Sequence, residues 1–98
     1  MGSSIQSGQF LLESRLADAA RGSPRAYFEL GIAFSCGTGG VDVDLIEAHK
    51  WFNLAALNGH EEGQAMRAEV ADEMTAREIA EAQRQARAWI AATSRRAA

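Results

Sequence analysis

A chain of 98 residues that is 47% hydrophobic and 23% charged has the size and composition of one globular domain rather than of a disordered tail. Its net charge of -3 and pI near 5.3 argue against a sequence-independent grip on nucleic acid, which needs Lys and Arg clustered on one face. No apolar run approaches the length of a membrane span, and the single cysteine, Cys36, allows neither an intramolecular disulfide nor a thiolate metal cage.

The N-terminus has neither the basic start nor the apolar core of an export signal, and Gln6 stands where the N-myristoylation pattern requires Ser or Thr. A lone thiol suits a reducing compartment, so a cytoplasmic chain is the expectation. One proline, few β-branched residues and an excess of Ala, Leu, Glu, Arg and Gln favour helix throughout. The predicted fold class is all-α, with no sheet.

In chain order, a first helix is predicted over about residues 6–21, with Gly22 suited to ending it. Ser23 is an N-cap followed by the favoured first-turn Pro24, opening a second helix over about 24–35. The stretch CGTGGVDVD, from Cys36 to Asp44, has no helical periodicity and reads as a loop. Asp44 and Glu47 then have capping-box spacing and start a third helix, about 45–58, closed by Asn58 and Gly59. A fourth helix is predicted over about 61–73. Thr75 and Glu78 repeat the capping-box spacing before a fifth, about 76–92. Leu45, Ala48, Trp51, Phe52, Ala55 and Ala56 make one apolar stripe, and Ile79, Ala82, Ala86, Trp89 and Ile90 make another.

The chain also repeats. Ala48, Trp51 and Phe52 return as Ala86, Trp89 and Ile90 at an offset of 38, and Gly22 and Gly59 are separated by 37. A period near that value accommodates two helices and a turn, the unit of a helical solenoid.

The residues from Ala26 to Gly59, AYFELGIAFSCGTGGVDVDLIEAHKWFNLAALNG, resemble a Sel1-like repeat, an α/α repeat related to the tetratricopeptide family. Leu30-Gly31 matches the Leu-Gly pair, Phe34 the aromatic, and Gly40-Val41 with Asp44 the turn. Ala48 takes the small site, Trp51-Phe52 the aromatic pair, and Ala55-Ala56 with Gly59 the end. The turn is one residue longer than the pattern. Residues 60–92 resemble a degenerate second repeat, with Gly63 where Ala is expected and Trp89 recovering the aromatic. The resemblance implies a right-handed α/α superhelix of two to two and a half repeats: an N-terminal capping helix in 1–22, the well-matched repeat in 23–59, the degenerate repeat and C-terminal cap in 60–92, and a tail in 93–98. It also implies a non-catalytic interaction scaffold whose partner is another protein.

Within that frame Trp51, Phe52 and the alanines read as packing residues. His49 and His60 lie eleven apart with no third His or Cys at ligand spacing, so no metal is expected; His49, beside Lys50, reads as a solvated position and His60 as part of a helix junction. Cys36 reads as a buried or semi-buried thiol, and the adjacent GTGG lacks the Gly-Lys-Ser/Thr ending of a P-loop. Glu61 and Glu62 suit a helix N-terminus, the run from Thr75 to Arg87 suits a solvated helix face with a Glu81–Arg84 pair, and Arg95 and Arg96 fall in a frayed tail. No nucleophile, base and orienting group can be assembled, so neither an enzyme nor a cofactor is expected.

The second helix spends Ala26, Tyr27, Leu30, Gly31 and Phe34 on the repeat core and leaves Phe28 and Ile32 on a neighbouring face. Shifted by one period, this face continues on the fourth helix. Arg25, Phe28, Glu29, Ile32, Glu62, Met66 and Glu69 are the candidate protein-binding residues, a shallow groove apolar at one end and acidic at the other. Two alternatives accompany this reading: Phe28 and Ile32 pack under the first helix against Phe10, Leu11 or Leu12, or the whole chain is a small subunit permanently buried in a larger complex or homo-oligomer.

Overall fold

The computed structural model describes residues 3–97, with side chains described from residue 8 to residue 95. Five helices follow one another: α1 Ser3–Ala20, α2 Pro24–Cys36, α3 Leu45–Leu57, α4 Glu61–Ala71 and α5 Ala76–Ala97. There is no strand among the described residues. Two ends differ from expectation. Helix α1 begins at Ser3, and α5 continues to Ala97 in place of a tail from residue 93.

Local chemistry sets the inner boundaries. The Ser23 hydroxyl accepts the Ala26 N–H and Pro24 occupies the first turn of α2. The Asp44 carboxylate accepts the Glu47 N–H at the start of α3. Thr75 and Glu78 form a reciprocal box: the Thr75 hydroxyl accepts the Glu78 N–H at 3.1 Å and the Glu78 carboxylate accepts the Thr75 N–H at 2.8 Å. Gly22 and Gly59 end α1 and α3 with φ of 87° and 86°, a conformation that a β-carbon disfavours. Around Gly59 the His60 N–H bonds back to Ala55 and the Gly59 N–H to Ala56, which satisfies two carbonyls of the last turn of α3.

Helix α3 is the hub. It packs against α2, α4 and α5, while α1 lies against α2. The larger core cluster joins Ala19 of α1, Ala26, Tyr27 and Leu30 of α2, Trp51, Leu54 and Ala55 of α3, and Ala86 of α5. A smaller one gathers Ala48, Phe52 and Val70, so it lies where α3 meets α4. Aromatic rings stitch the larger cluster. Tyr27 stacks on Trp51 at 6.0 Å, Trp89 meets Trp51 edge-on at 4.9 Å, and the Trp89 Nε1–H donates to the Tyr27 hydroxyl at 3.3 Å.

Small residues let the helices approach. A β-carbon on Gly31 would lie 2.5 Å from the ring of Phe52, and one on Gly63 would lie 2.8 Å from the β-carbon of Ala55. The missing side chain of Gly63 therefore allows α4 to rest on α3. The radius of gyration, 13.3 Å, is that of a compact chain of this length, about 13 Å.

Candidate protein-binding face

The seven candidate residues divide by burial and by side chain. Phe28, half-buried on α2, has its ring 4.5 Å from the His60 ring and 5.7 Å from Phe52. Ile32 and Met66 pack on the smaller cluster of Ala48, Phe52 and Val70. These three apolar side chains thus form the seam between α2, α3 and α4, partly covered and partly open to solvent. Phe28 and Ile32 are not sheltered by Phe10 and Leu11, which are 74% and 42% exposed. Leu12, with Leu16, packs on the larger cluster, which Phe28 also touches, so of Phe10, Leu11 and Leu12 it is Leu12 that comes near the expected arrangement.

The charged members border this seam. Arg25, Glu62 and Glu69 are exposed and Glu29 is half-buried. None of the four belongs to an ion pair among the described residues. Phe28 and Ile32 are one turn apart on α2, as are Glu62 and Met66 on α4, so each pair shares a face of its helix. Such an arrangement offers acceptors for a cationic ligand and a modest apolar contact.

Two contacts that hold this face were not legible as such. His60 caps α4, its Nδ1 accepting the Gly63 N–H at 3.0 Å while its ring stacks on Phe28. Its place before the acidic first turn is a readable cap signal, but the stacking depends on the angle at which α4 returns. Arg67 of α4 donates to the Asn53 side-chain Oδ1 on α3 at 2.6 Å, a contact across fourteen residues with no pattern to announce it.

Three expectations are corrected by the packing. His49 is 3% exposed and not solvated, because α3 is covered on several sides and leaves a histidine next to Lys50 little room to reach water. Burial, and then the positive charge of Arg67, lower its pKa, so the neutral ring is favoured; its Nδ1 is buried without a hydrogen-bond partner among the described residues. Cys36 is exposed, since it is the last residue of α2 and its side chain lies outside the core. Glu47 does not complete a capping box. Its carboxylate instead accepts from the Lys50 ammonium and from the Trp51 Nε1–H, both at 2.9 Å, and the Lys50 Nζ sits 4.6 Å from the Trp51 ring centre.

The Glu81–Arg84 pair of α5 faces solvent. Arg84 donates twice to the Glu81 carboxylate, and Gln85 once, which holds the Glu81 carboxyl down to about 2. Among the described residues no three His, Cys, Asp or Glu side chains gather as a metal site, and no helix is long and apolar enough to cross a membrane. Comparison of the chain with protein-family models, with curated proteins and with solved structures finds no match.

Proposed function

We propose that this chain is a non-catalytic α/α-repeat module of the Sel1-like type that binds a peptide or helix of a protein partner along its α2–α4 face. In this reading α2 and α3 form one repeat, α4 and α5 the next, in a right-handed superhelix with α1 as cap. The contact of Trp89 with Trp51 and Tyr27 supports it, because equivalent aromatic positions of successive repeats would meet in this way. No catalysis, cofactor or metal enters the proposal, and the expected location is the cytoplasm.

The observation that carries the binding proposal is the seam itself. Exposed, ion-pair-free Glu62 and Glu69 stand beside partly open Phe28, Ile32 and Met66. An amphipathic helix with Lys or Arg flanking apolar residues is the complementary ligand. Fluorescence anisotropy with a labelled amphipathic peptide of that composition tests it. Binding should weaken at least about tenfold in Glu62→Lys/Glu69→Lys and fall with added salt. Equal binding by the double variant, or equal binding of an acidic peptide, contradicts the proposal.

A second reading has its own support. Phe10, Leu57 and Val43 leave large apolar side chains 74%, 61% and 58% exposed, surface that an interface could bury. A permanently assembled subunit or homo-oligomer would cover it. Light scattering on the purified chain separates the two: an adaptor runs as a 10.5 kDa monomer, an obligate subunit as a stable oligomer or an aggregate.

A further inference from the structure

Helix α5 outruns the helix it packs on. Its 22 residues span about 33 Å, whereas α3 has 13 residues and spans about 20 Å. Ala82 and Ala86 are buried and Trp89 packs on the larger cluster, but beyond Trp89 only Thr93 among residues 90–95 is partly covered. The end of α5 is therefore an open helix surface.

That surface carries a pattern. Arg87, Ile90, Ala91 and Arg95 stand at i, i+3, i+4 and i+8, so they follow one side of the helix, and all four are exposed, Ile90 at 42%. The two arginines are about 12 Å apart along the axis, with the apolar pair between them. Neither guanidinium belongs to an ion pair among the described residues, and residues 1–7 and 96–98 include no Asp or Glu.

Glu62, Met66 and Glu69 on α4 are the counterpart. They stand at i, i+4 and i+7 on one side of that helix and set two exposed carboxylates about 10.5 Å apart along the axis, with the half-buried Met66 between them. Met66 shares the smaller cluster with Phe28 and Ile32, which continues the apolar surface onto α2. Charge is segregated in the same way along the chain. Residues 61–73 carry five acidic side chains against Arg67, and residues 76–95 carry four arginines against two glutamates, so two copies attract through unlike helices although each is net negative.

Within one copy α5 is fixed by its core residues against α3, so the two patterns meet between copies. On the reading that the α2–α4 face is a docking surface, we propose that a second copy of this chain occupies it with the basic end of α5, Arg87 and Arg95 against Glu62 and Glu69, and Ile90 against Met66. The contact is heterologous, since α4 against α4 or α5 against α5 sets like charges together. Exposed ion pairs are individually weak, so the association is reversible, fills in concentrated, low-salt solution, and competes with an outside peptide for the same face.

Sedimentation velocity on the full chain, from about 10 µM to about 1 mM at low and at high salt, tests it. The mean mass should rise above that of the 10.5 kDa monomer with concentration and fall back in high salt. Glu62→Gln/Glu69→Gln and Arg87→Gln/Arg95→Gln should each associate about tenfold more weakly or less, with the circular dichroism of the parent. Mixing the two should restore association, because the intact α5 of the first meets the intact α4 of the second. Misfolding cannot produce that recovery, and neither can overall charge, since both variants remain net negative. Self-association that survives both double changes, or a mixture no more associated than its components, overturns the proposal. A chain that stays monomeric at about 1 mM in low salt overturns it as well. If that monomer still binds the amphipathic peptide, only the second-copy occupant falls; if it binds none, the α2–α4 docking reading falls with it.

Discussion

Replacing Gly31 with alanine adds one methyl group at the closest approach of α2 and α3. That carbon would stand 2.5 Å from Cδ1 and Cε1 of Phe52 and 2.9 Å from its Cγ, the nearest two at least about 1 Å inside the ordinary carbon–carbon contact distance of about 3.5–4.0 Å. The ring has nowhere to go, since Phe52 is fully buried among Ala48 and Val70. Helix propensity alone would favour alanine by about 0.8–1.0 kcal/mol at this mid-helix position. Overpacking a filled core costs about 1–3 kcal/mol and more when a ring is pinned, so the net effect should be a loss of about 1–2 kcal/mol. In a domain of this size that lowers Tm by roughly 5–15 °C. Thermal melting by circular dichroism reads it directly. Pairing the change with Phe52→Leu should recover part of the loss, a coupling of about 1 kcal/mol between touching residues. A Gly31→Ala variant that melts at or above the parent would show that propensity prevails and that the helices do not approach as closely as described.

Further expectations concern the rest of the scaffold. Trp51→Ala should cost about 3–5 kcal/mol, measured by urea denaturation, because it empties the aromatic junction of α2, α3 and α5. Trp51→Phe should cost less, yet still about 1–2 kcal/mol, by removing the indole N–H from partly buried Glu47. Thr75→Ala should lose about 1 kcal/mol by dismantling the reciprocal cap of α5. His49 has a lowered pKa in the folded chain, so the unfolded chain binds the proton more readily. Stability from this residue is full above the ordinary histidine value of 6.5 and declines as pH falls from there towards the folded pKa. Urea midpoints taken between neutral and mildly acidic pH should therefore drop, and the slope should flatten in His49→Gln.

Most of the helical scaffold was legible because its signals are local. Ser23-Pro24, Asp44, Thr75 with Glu78, and the glycines at 22 and 59 each act on backbone groups a few residues away, and each sits at the boundary its chemistry suggests. The apolar stripe of α3 was legible for the same reason, since its period is a property of one helix. What the sequence did not disclose depends on how many neighbours that helix acquires. With α2, α4 and α5 all packed on α3, even the polar His49 is enclosed, and Glu47 turns from its cap towards Trp51. Gly63 looked like decay of a repeat, whereas its missing side chain is what the contact with Ala55 requires. The candidate face was half readable. Spacing placed Phe28 with Ile32 and Glu62 with Met66, but only the packing shows that Phe28 lies against Phe52 and His60 and that Ile32 rests on the cluster of Ala48, Phe52 and Val70.

The central claim is that a partner segment binds along the α2–α4 face. The most direct measurement is amide and methyl NMR shift mapping with an amphipathic, Lys-rich helical peptide added to the labelled chain. Shifts concentrated at Phe28, Ile32, Glu62, Met66 and Glu69, absent at Phe10 and Leu57, are what the account predicts. Shifts centred instead on the exposed residues of α1 and on Leu57, with the α2–α4 residues unmoved, would contradict it.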